Sequence, residues 1–501
     1  MVYGFIAVVW VVLFGRLIPD LHRDHSVFVS VAERLIAGDR LYSGVWDNKD
    51  PLFYWTLALG RSITPYADVI IEILWLLIAC ISVRSILRHL SLSNSVSILF
   101  AYGVTPIILT GGMYVPGLTH LPAEALIFVA IAFAMNQRIA FSGVAIATLA
   151  MAKLVLVPVG LIAVATILFL RRTSQPLKKT SGSLILGFGS GLAVWSAVLL
   201  YRSEFSPYLN AQKLNFLYAN SQAGRHALTD SFGPIFRHFL QSLSISALII
   251  LIVATSYLVL TKFDIRNRFK LKSLPEGQNT IWYLSVVTLF ASAGVLFVSG
   301  IWPHHGQVYY VPAVFVAILF VSRQLENVQT ISLKTLLVFA LVGVIFGGVI
   351  YPTQYVQSAR DATKSLEMLN QVSPLTQELL KRSPNGTYAR AGSNNDLGHA
   401  FGLRNWKLAC YRFNQYSFDP EMLLEKDADC LSKATYILVT PGQYEQPNPA
   451  TQSQEKPTPP AFQKYLEQLR AMLAKSYKCQ KYSFTADPDA SGYVCEKLAT
   501  E

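Results

Sequence analysis

Charge is scarce in this sequence. Lys, Arg, Asp and Glu make up 14% of the 501 residues, and 52% are apolar. A water-soluble domain carries about a quarter charged residues. The apolar residues also come in long runs, from residue 3 to residue 352. Runs of roughly 17–25 such residues match a bilayer rather than a soluble core. The composition thus excludes an ordinary soluble globule. No GxxxxGK[ST] element occurs, which argues against an ATP-driven pump. The first apolar run lacks a basic leading segment and a small-residue cleavage site, so it reads as an anchor.

Cysteine is also sparse, with five residues. Cys80 lies inside an apolar run and reads as a small core residue. Cys410, Cys430, Cys479 and Cys495 all fall in the polar C-terminal stretch. An even set in a region outside the cytoplasm implies two disulfides. Sequence-local pairing, Cys410–Cys430 and Cys479–Cys495, is one of three connectivities; four buried thiols are the alternative.

The apolar runs predict about eleven spans, at roughly 3–19, 68–88, 95–113, 121–136, 138–151, 153–170, 182–201, 238–261, 281–300, 307–322 and 334–352. The short fifth and sixth leave a re-entrant hairpin open. The chain divides into a membrane part, 1–352, and a polar part, 353–501, with alternating helical and β-rich stretches that read as a small α/β domain. The net charge is +12, of which only +1 belongs to 353–501. A basic chain can signal nucleic acid, but here the cations sit in short loops. Arg84, Arg88, Arg138, Arg171, Arg172, Lys178, Lys179, Lys262, Arg266, Arg268, Lys270, Lys272, Arg323 and Lys334 all fall on one side. By the positive-inside rule that side is cytoplasmic, and the C-terminal domain is then extracytoplasmic.

The acids have a different distribution. Asp20, Asp24, Glu33, Asp39, Asp47 and Asp50 are six of the 14 in residues 1–352, and all lie in the first outer loop. Near a membrane such groups are costly unless paired or solvated; an ordinary wet loop is the plain alternative. Apolar residues at 27, 28, 31, 35 and 36, followed by Gly38, predict an interfacial helix over 26–37 with a glycine cap. Pro51 opens a second, with Phe53, Tyr54 and Trp55 at headgroup level.

The stretch RDHSVFVSVAERLIAGDRLYSGVWDNKDPLFYW resembles the first outer loop of GT-C membrane glycosyltransferases. That group includes protein O-mannosyltransferases, the lipid A aminoarabinose transferase and the bacterial RgtA/B/C/D-like enzymes. The resemblance rests on Arg23-Asp24, Phe28, Ala32, Gly38, Tyr42, Asp47, Lys49 and Pro51. His25 stands where the pattern has a second acid, and Asp50 where it has a first proline.

The resemblance implies an inverting transferase. It would take a sugar from a polyprenyl-phosphate carrier to a glycan, glycolipid or protein acceptor outside the cytoplasm of a plasma-membrane protein. Asp24 matches the family's catalytic acid and would serve as general base. Lys49 matches the lysine that holds the donor phosphate, with His304 and His305 as further candidates. Asp47, Asp50, Glu124 and Tyr309 would support the site or face the acceptor, and Lys153 resembles another family lysine. Glu124 also suits the start of a helix as a plain dipole partner, and Lys153 suits a snorkelling role. The paired histidines, with Asp24 or His120, keep a divalent ion open. Two non-enzymatic readings stand beside this one. A transporter or flippase for lipid-linked sugars would show paired broken helices. An inactive assembly partner would fit the departures at His25 and Asp50.

Overall fold

The structure, a computed structural model, describes residues 1–18, 24–64, 66–90, 92–111, 114–117, 119–172, 176–220, 276–299, 303–325, 332–347, 377–379, 381–391, 407–410, 430–439, 460–482 and 492–498. Two compact units divide the chain. Met1–Ile18, Val69–Val198 and Arg225–Ser358 form the first. Pro19–Asp68, Leu199–Gly224 and Ala359–Glu501 form the second, so the first outer loop groups with the C-terminal residues.

The first unit is helical. Its described helices are α1 (Val2–Phe14), most of α4 (Ala67–Leu87), α5 (Asn94–Leu109), α6 (His120–Met135), α7 (Ile139–Lys153), α8 (Val157–Leu170), α9 (Leu177–Tyr201), α11 (Glu276–Ser299), α12 (Tyr310–Leu325) and α13 (Leu333–Gly347). Ala67–Leu87, Ile139–Leu170, Leu177–Tyr201 and Gly277–Leu296 are long and apolar enough to cross a membrane. The chain is a multi-pass helical membrane protein. Its side chains agree: Val11, Ile185, Leu186, Phe290 and Leu337 are exposed, an arrangement unfavourable in water and natural against lipid. The span expected at 238–261 lies outside the described residues. The expected fifth and sixth spans are α7 and α8, separated at Lys153, whose backbone is extended (φ −164°, ψ 90°). Both pack on α6.

Two sequence features shape the packing. Pro106 has no N–H to offer the Tyr102 carbonyl four residues earlier, and α5 passes through a π-helical turn at Phe100–Val104. Trp10 Nε1 donates to that Tyr102 carbonyl at 2.9 Å. Glycines let α7 and α9 approach. A Cβ on Gly187 would lie 1.9 Å from the Ala140 carbonyl, and one on Gly143 would lie 2.4 Å from the Leu184 carbonyl. Such small-residue crossings are how membrane helices gain van der Waals contact without a hydrophobic driving force.

The second unit holds α2 (Asp24–Ile36), α3 (Pro51–Ile63) and α10 (Phe205–Asn220), together with a five-stranded sheet of order β2-β1-β3-β5-β4. β1 (Thr387–Ala391) runs parallel to β2 (Lys407–Leu408) and β3 (Tyr436–Val439). β5 (Gly492–Lys497) is antiparallel to β3 and to β4 (Tyr477–Tyr482). Helix α14 (Pro460–Ser476) places Leu469 and Leu473, one turn apart, against Ile437, Val439 and Cys495. Disulfides join Cys410 to Cys430 and Cys479 to Cys495, the latter pair directly opposed on β4 and β5.

Candidate functional site

In the second unit, α2 and α3 pack together through Phe28, Phe53 and Tyr54, whose rings meet edge to face. Asp24 is the first residue of α2. At the other end Gly38 takes a left-handed backbone, φ 98°, and its N–H donates to Leu35 O at 3.1 Å. That is the cap its sequence predicts. The start of α2 is anchored by His25, whose Nε2 lies 2.9 Å from Asp68 Oδ2. Arg61, on the last turn of α3, donates to Glu33 at 2.8 Å and to both oxygens of Asp68 at 2.9 and 3.1 Å. Burial alone would lower the Arg61 pKa, but Asp68 and Glu33 outweigh it, and the net shift is upward.

The connection from α2 to α3 carries the DNKDP residues. Tyr42 holds a left-handed backbone, φ 66°, which costs a bulky residue about 1–3 kcal/mol. Its hydroxyl donates to Lys49 O at 2.7 Å, so the strain is spent on fixing the Lys49 backbone. Burial, and then the charge of Asp50, raises the Tyr42 pKa well above the ordinary phenol value, which keeps it a donor. Asp47 is fully buried and accepts the Tyr54 hydroxyl. Asp50 Oδ1 accepts from Gln212 Nε2 at 2.9 Å and from the Tyr208 hydroxyl at 3.3 Å, both on α10. Lys49 Nζ reaches Asn48 Oδ1 at 3.0 Å and stands 5.7 Å from the centre of the Phe28 ring. Among the described residues it has no carboxylate partner. A cation held by a neutral amide and an aromatic face is free to meet an anion.

The first unit has its own buried polar cluster. Glu72 of α4 accepts the Tyr114 hydroxyl and, at 3.0 Å, the Gly117 N–H. Arg16 donates to the Gly111 and Tyr114 carbonyls at 3.0 Å each. At the α7–α8 break, Lys153 Nζ donates to Thr119 Oγ1 at 3.1 Å and to His120 Nε2 at 2.9 Å. An ammonium only donates, so this His120 nitrogen accepts. Glu124, one turn into α6, is fully buried, and neither carboxylate oxygen has a hydrogen-bond partner among the described residues. Gln307 is in the same state at both amide atoms. It lies on the 3₁₀ segment Pro303–Tyr309, which packs on α6. Native structures rarely leave such groups unpaired, so both are candidate contacts for a polar ligand or water.

No protein-family model and no curated protein sequence matches the chain. Solved structures do. ArnT from Cupriavidus metallidurans, crystallised with undecaprenyl phosphate, superposes with a TM-score of 0.54 at 11% identity, over 100% of this chain and 98% of the other. The chain has the GT-C fold. The apo form of the same ArnT gives a TM-score of 0.46 at 14% identity, over 99% of this chain and 98% of that one. The archaeal oligosaccharyltransferase AglB from Archaeoglobus fulgidus gives 0.43 at 12% identity, over 99% of this chain and 74% of the other.

In this chain the expected residues fall into two groups. Asp24, Asp47, Lys49 and Asp50 belong to the second unit, and Glu124, His304, His305 and Tyr309 to the first. His304 and His305 sit in the 3₁₀ segment with Gln307; their side chains, like that of Asp24, lie outside what the structure describes. Tyr309 is buried. No three His, Cys, Asp or Glu side chains stand together as a metal site among the described residues. The first outer loop differs from a bare platform of carboxylates: Asp50 is bound to α10, Asp47 lies beneath Tyr54, and Glu33 pairs with Arg61. Glu72 and Gln307 are polar groups that the sequence reading passed over. An acid in the apolar run ADVIIEILWLL carries its own signal; a glutamine carries no charge to notice.

Proposed function

We propose that this chain is an inverting glycosyltransferase that moves a sugar from a polyprenyl-phosphate-linked donor to an acceptor outside the cytoplasm. The observation that carries this reading is a full-length GT-C fold whose second unit presents Lys49 without an acidic partner among the described residues, close in sequence to an α2 that opens on Asp24. The ArnT structure of the same fold was solved with undecaprenyl phosphate, the class of carrier this reading requires. In the proposed reaction an acceptor hydroxyl attacks the anomeric carbon from the face opposite the phosphate. The bond from that carbon to the phosphate oxygen breaks. Asp24 takes the hydroxyl proton, and Lys49 holds the dianion left on the lipid phosphate.

Glu124 and Gln307 supply acceptors and donors of the kind sugar hydroxyls need. Both are buried without hydrogen-bond partners among the described residues, so a bound polyol would relieve their desolvation. Residues 1–352 form the catalytic part in this proposal. Residues 353–501 form an extracytoplasmic α/β domain that helps hold the acceptor, a glycan, glycolipid or protein.

The test is sugar transfer in proteoliposomes supplied with a polyprenyl-phosphate-sugar extract. Wild type should transfer, and Asp24→Asn should lose about a hundredfold or more while still binding the carrier. Equal transfer by both would remove Asp24 from the mechanism. Carrier binding without transfer by either would favour the flippase or assembly-partner reading.

A further inference from the structure

At one end of α7 and α9 the two helices part and leave a cavity of about 490 Å³. Gln137, Arg138, Phe141, Lys179, Thr180 and Ser183 are among its walls. The whole cavity lies within the first unit. None of its walls belongs to the proposed reaction, whose nearest residue in sequence is Glu124 at the other end of α6, and the glycosyl transfer makes no use of it.

The walls carry two cations. Arg138 and Lys179 are exposed and make no ion pair among the described residues. No Asp or Glu occurs anywhere between Glu124 and Glu204, so this stretch contains no acid to neutralise them. Arg138 is also the N-terminal flanking residue of α7, which has no side-chain cap there. Uncapped first-turn amides add a partial positive charge at the cavity wall. The Thr180 and Ser183 hydroxyls donate to the Leu177 and Lys179 carbonyls at 3.0 Å each, so the two cations and the amides carry the attraction.

The apolar surroundings select among anions. Phe141 of α7 is 59% exposed, and Leu177, Ile185 and Leu186 of α9 are exposed on the neighbouring turns. These side chains continue from the rim of the cavity into the surface that faces lipid. A free phosphate would gain only from the cations. A phospholipid would gain from both, with its headgroup between Arg138 and Lys179 and its chains along Phe141 and α9. We infer that this cavity binds the headgroup of an anionic glycerophospholipid. Arg171 and Arg172 end α8, and Arg171 donates to the Met135 carbonyl at 2.7 Å; these residues belong to the cation-rich side that the positive-inside rule assigns to the cytoplasm. Anionic lipid on that leaflet attracts juxtamembrane cations.

The experiment is native mass spectrometry of the full-length protein released from detergent and titrated with phosphatidylglycerol or phosphatidylcholine. Wild type should retain phosphatidylglycerol at least about tenfold more tightly than phosphatidylcholine, a gap of about 1.4 kcal/mol. Arg138→Gln/Lys179→Gln should lose that preference, and Lys179→Glu alone should lose most of it, which covers the case of a double variant that does not fold. Arg84→Gln/Arg88→Gln removes equal charge from another loop of the same side and should keep the preference. If that control loses as much, diffuse charge and not this cavity attracts the lipid, and the inference fails. It also fails if inorganic phosphate displaces phosphatidylglycerol at equal concentration, since the site would then take any phosphate.

Discussion

His25 Nε2 lies 2.9 Å from Asp68 Oδ2, and Arg61 reaches the same oxygen at 2.9 Å. An imidazole and a guanidinium thus share one buried carboxylate. His25 is the residue immediately after Asp24, and Asp68 is the second residue of α4. The pair therefore fixes the first turn of α2, where the proposed base sits. His25→Ala should destabilise the folded protein by about 1.5–3 kcal/mol, the range for one hydrogen bond to a charged group, while Asp68 keeps Arg61. Asp68→Asn should do the same. The double variant should cost less than the two singles together, because both remove one interaction. Thermal melts of the four proteins in one detergent measure the coupling. Strictly additive losses would mean that the two residues act independently.

Lys49 presents its ammonium to an amide oxygen and an aromatic face. If it holds the leaving phosphate, Lys49→Ala should weaken the donor interaction by about 1.5–3 kcal/mol, the range for a charged hydrogen bond. Transfer should fall accordingly, and the melting temperature should stay near wild type, because no ion pair is broken. Lys49→Arg keeps the charge and should recover part of the activity. Loss of stability without loss of transfer would make Lys49 a structural residue of the loop.

Asp50 shows where the sequence stops being informative. Its position before Pro51 dictates the extended backbone, φ −73° and ψ 152°, and the local sequence predicts that helix start. Its side chain is occupied by Tyr208 and Gln212, 158 and 162 residues away, and no local pattern points there. Gly38 and the α2 stripe are legible because helices and their caps are local. The long apolar helices are legible for a similar reason, since apolar length alone marks them. The boundary between units is not. The first outer loop groups with the C-terminal residues, a relation among segments more than 150 residues apart. Glu72 was within reach of the rule that marks acids in apolar runs, whereas Gln307 becomes visible only once its burial is known.

Asp50 also gives a local prediction. Gln212→Ala should remove the Gln212 hydrogen bond to Asp50 and loosen the α10 contact to the loop, while the Tyr208 bond stays. The expected cost is about 0.5–1.5 kcal/mol, with hydrogen exchange rising at the amides of 48–52. Unchanged exchange would show that the loop is held without Gln212, through Tyr208 and through Asn215, which donates to the Asn48 carbonyl at 2.9 Å.

The sheet carries a pH signature. The Tyr477 hydroxyl donates to the Leu431 and Ala434 carbonyls at 2.8 Å each, and burial pushes its pKa up to about 12. The unfolded phenol titrates near 10. A group whose folded pKa is raised contributes stability that is fully present below the unfolded value. It is lost as pH rises from about 10 towards 12. Base-induced loss of the sheet, followed by circular dichroism, should therefore begin above pH 10, and Tyr477→Phe should flatten that part of the curve while lowering stability at neutral pH.

Glu124 offers a contrast between stability and function. It is fully buried with neither oxygen hydrogen-bonded among the described residues, and Lys153 reaches Thr119 and His120. A group kept in that state against its own desolvation is a candidate for ligand contact. Glu124→Gln preserves shape and removes the charge, so the melting temperature should hold or rise. Glu124→Leu removes the polar atoms as well and should stabilise further, as buried charges replaced by apolar side chains of similar volume often do. Transfer should fall in both, and more in Leu than in Gln, because an amide still offers one acceptor to a sugar hydroxyl. A residue that merely caps α6 through the helix dipole would give the opposite pattern, with stability lost and transfer unchanged in the molecules that remain folded. Paired melts and transfer rates on the same preparations separate the two.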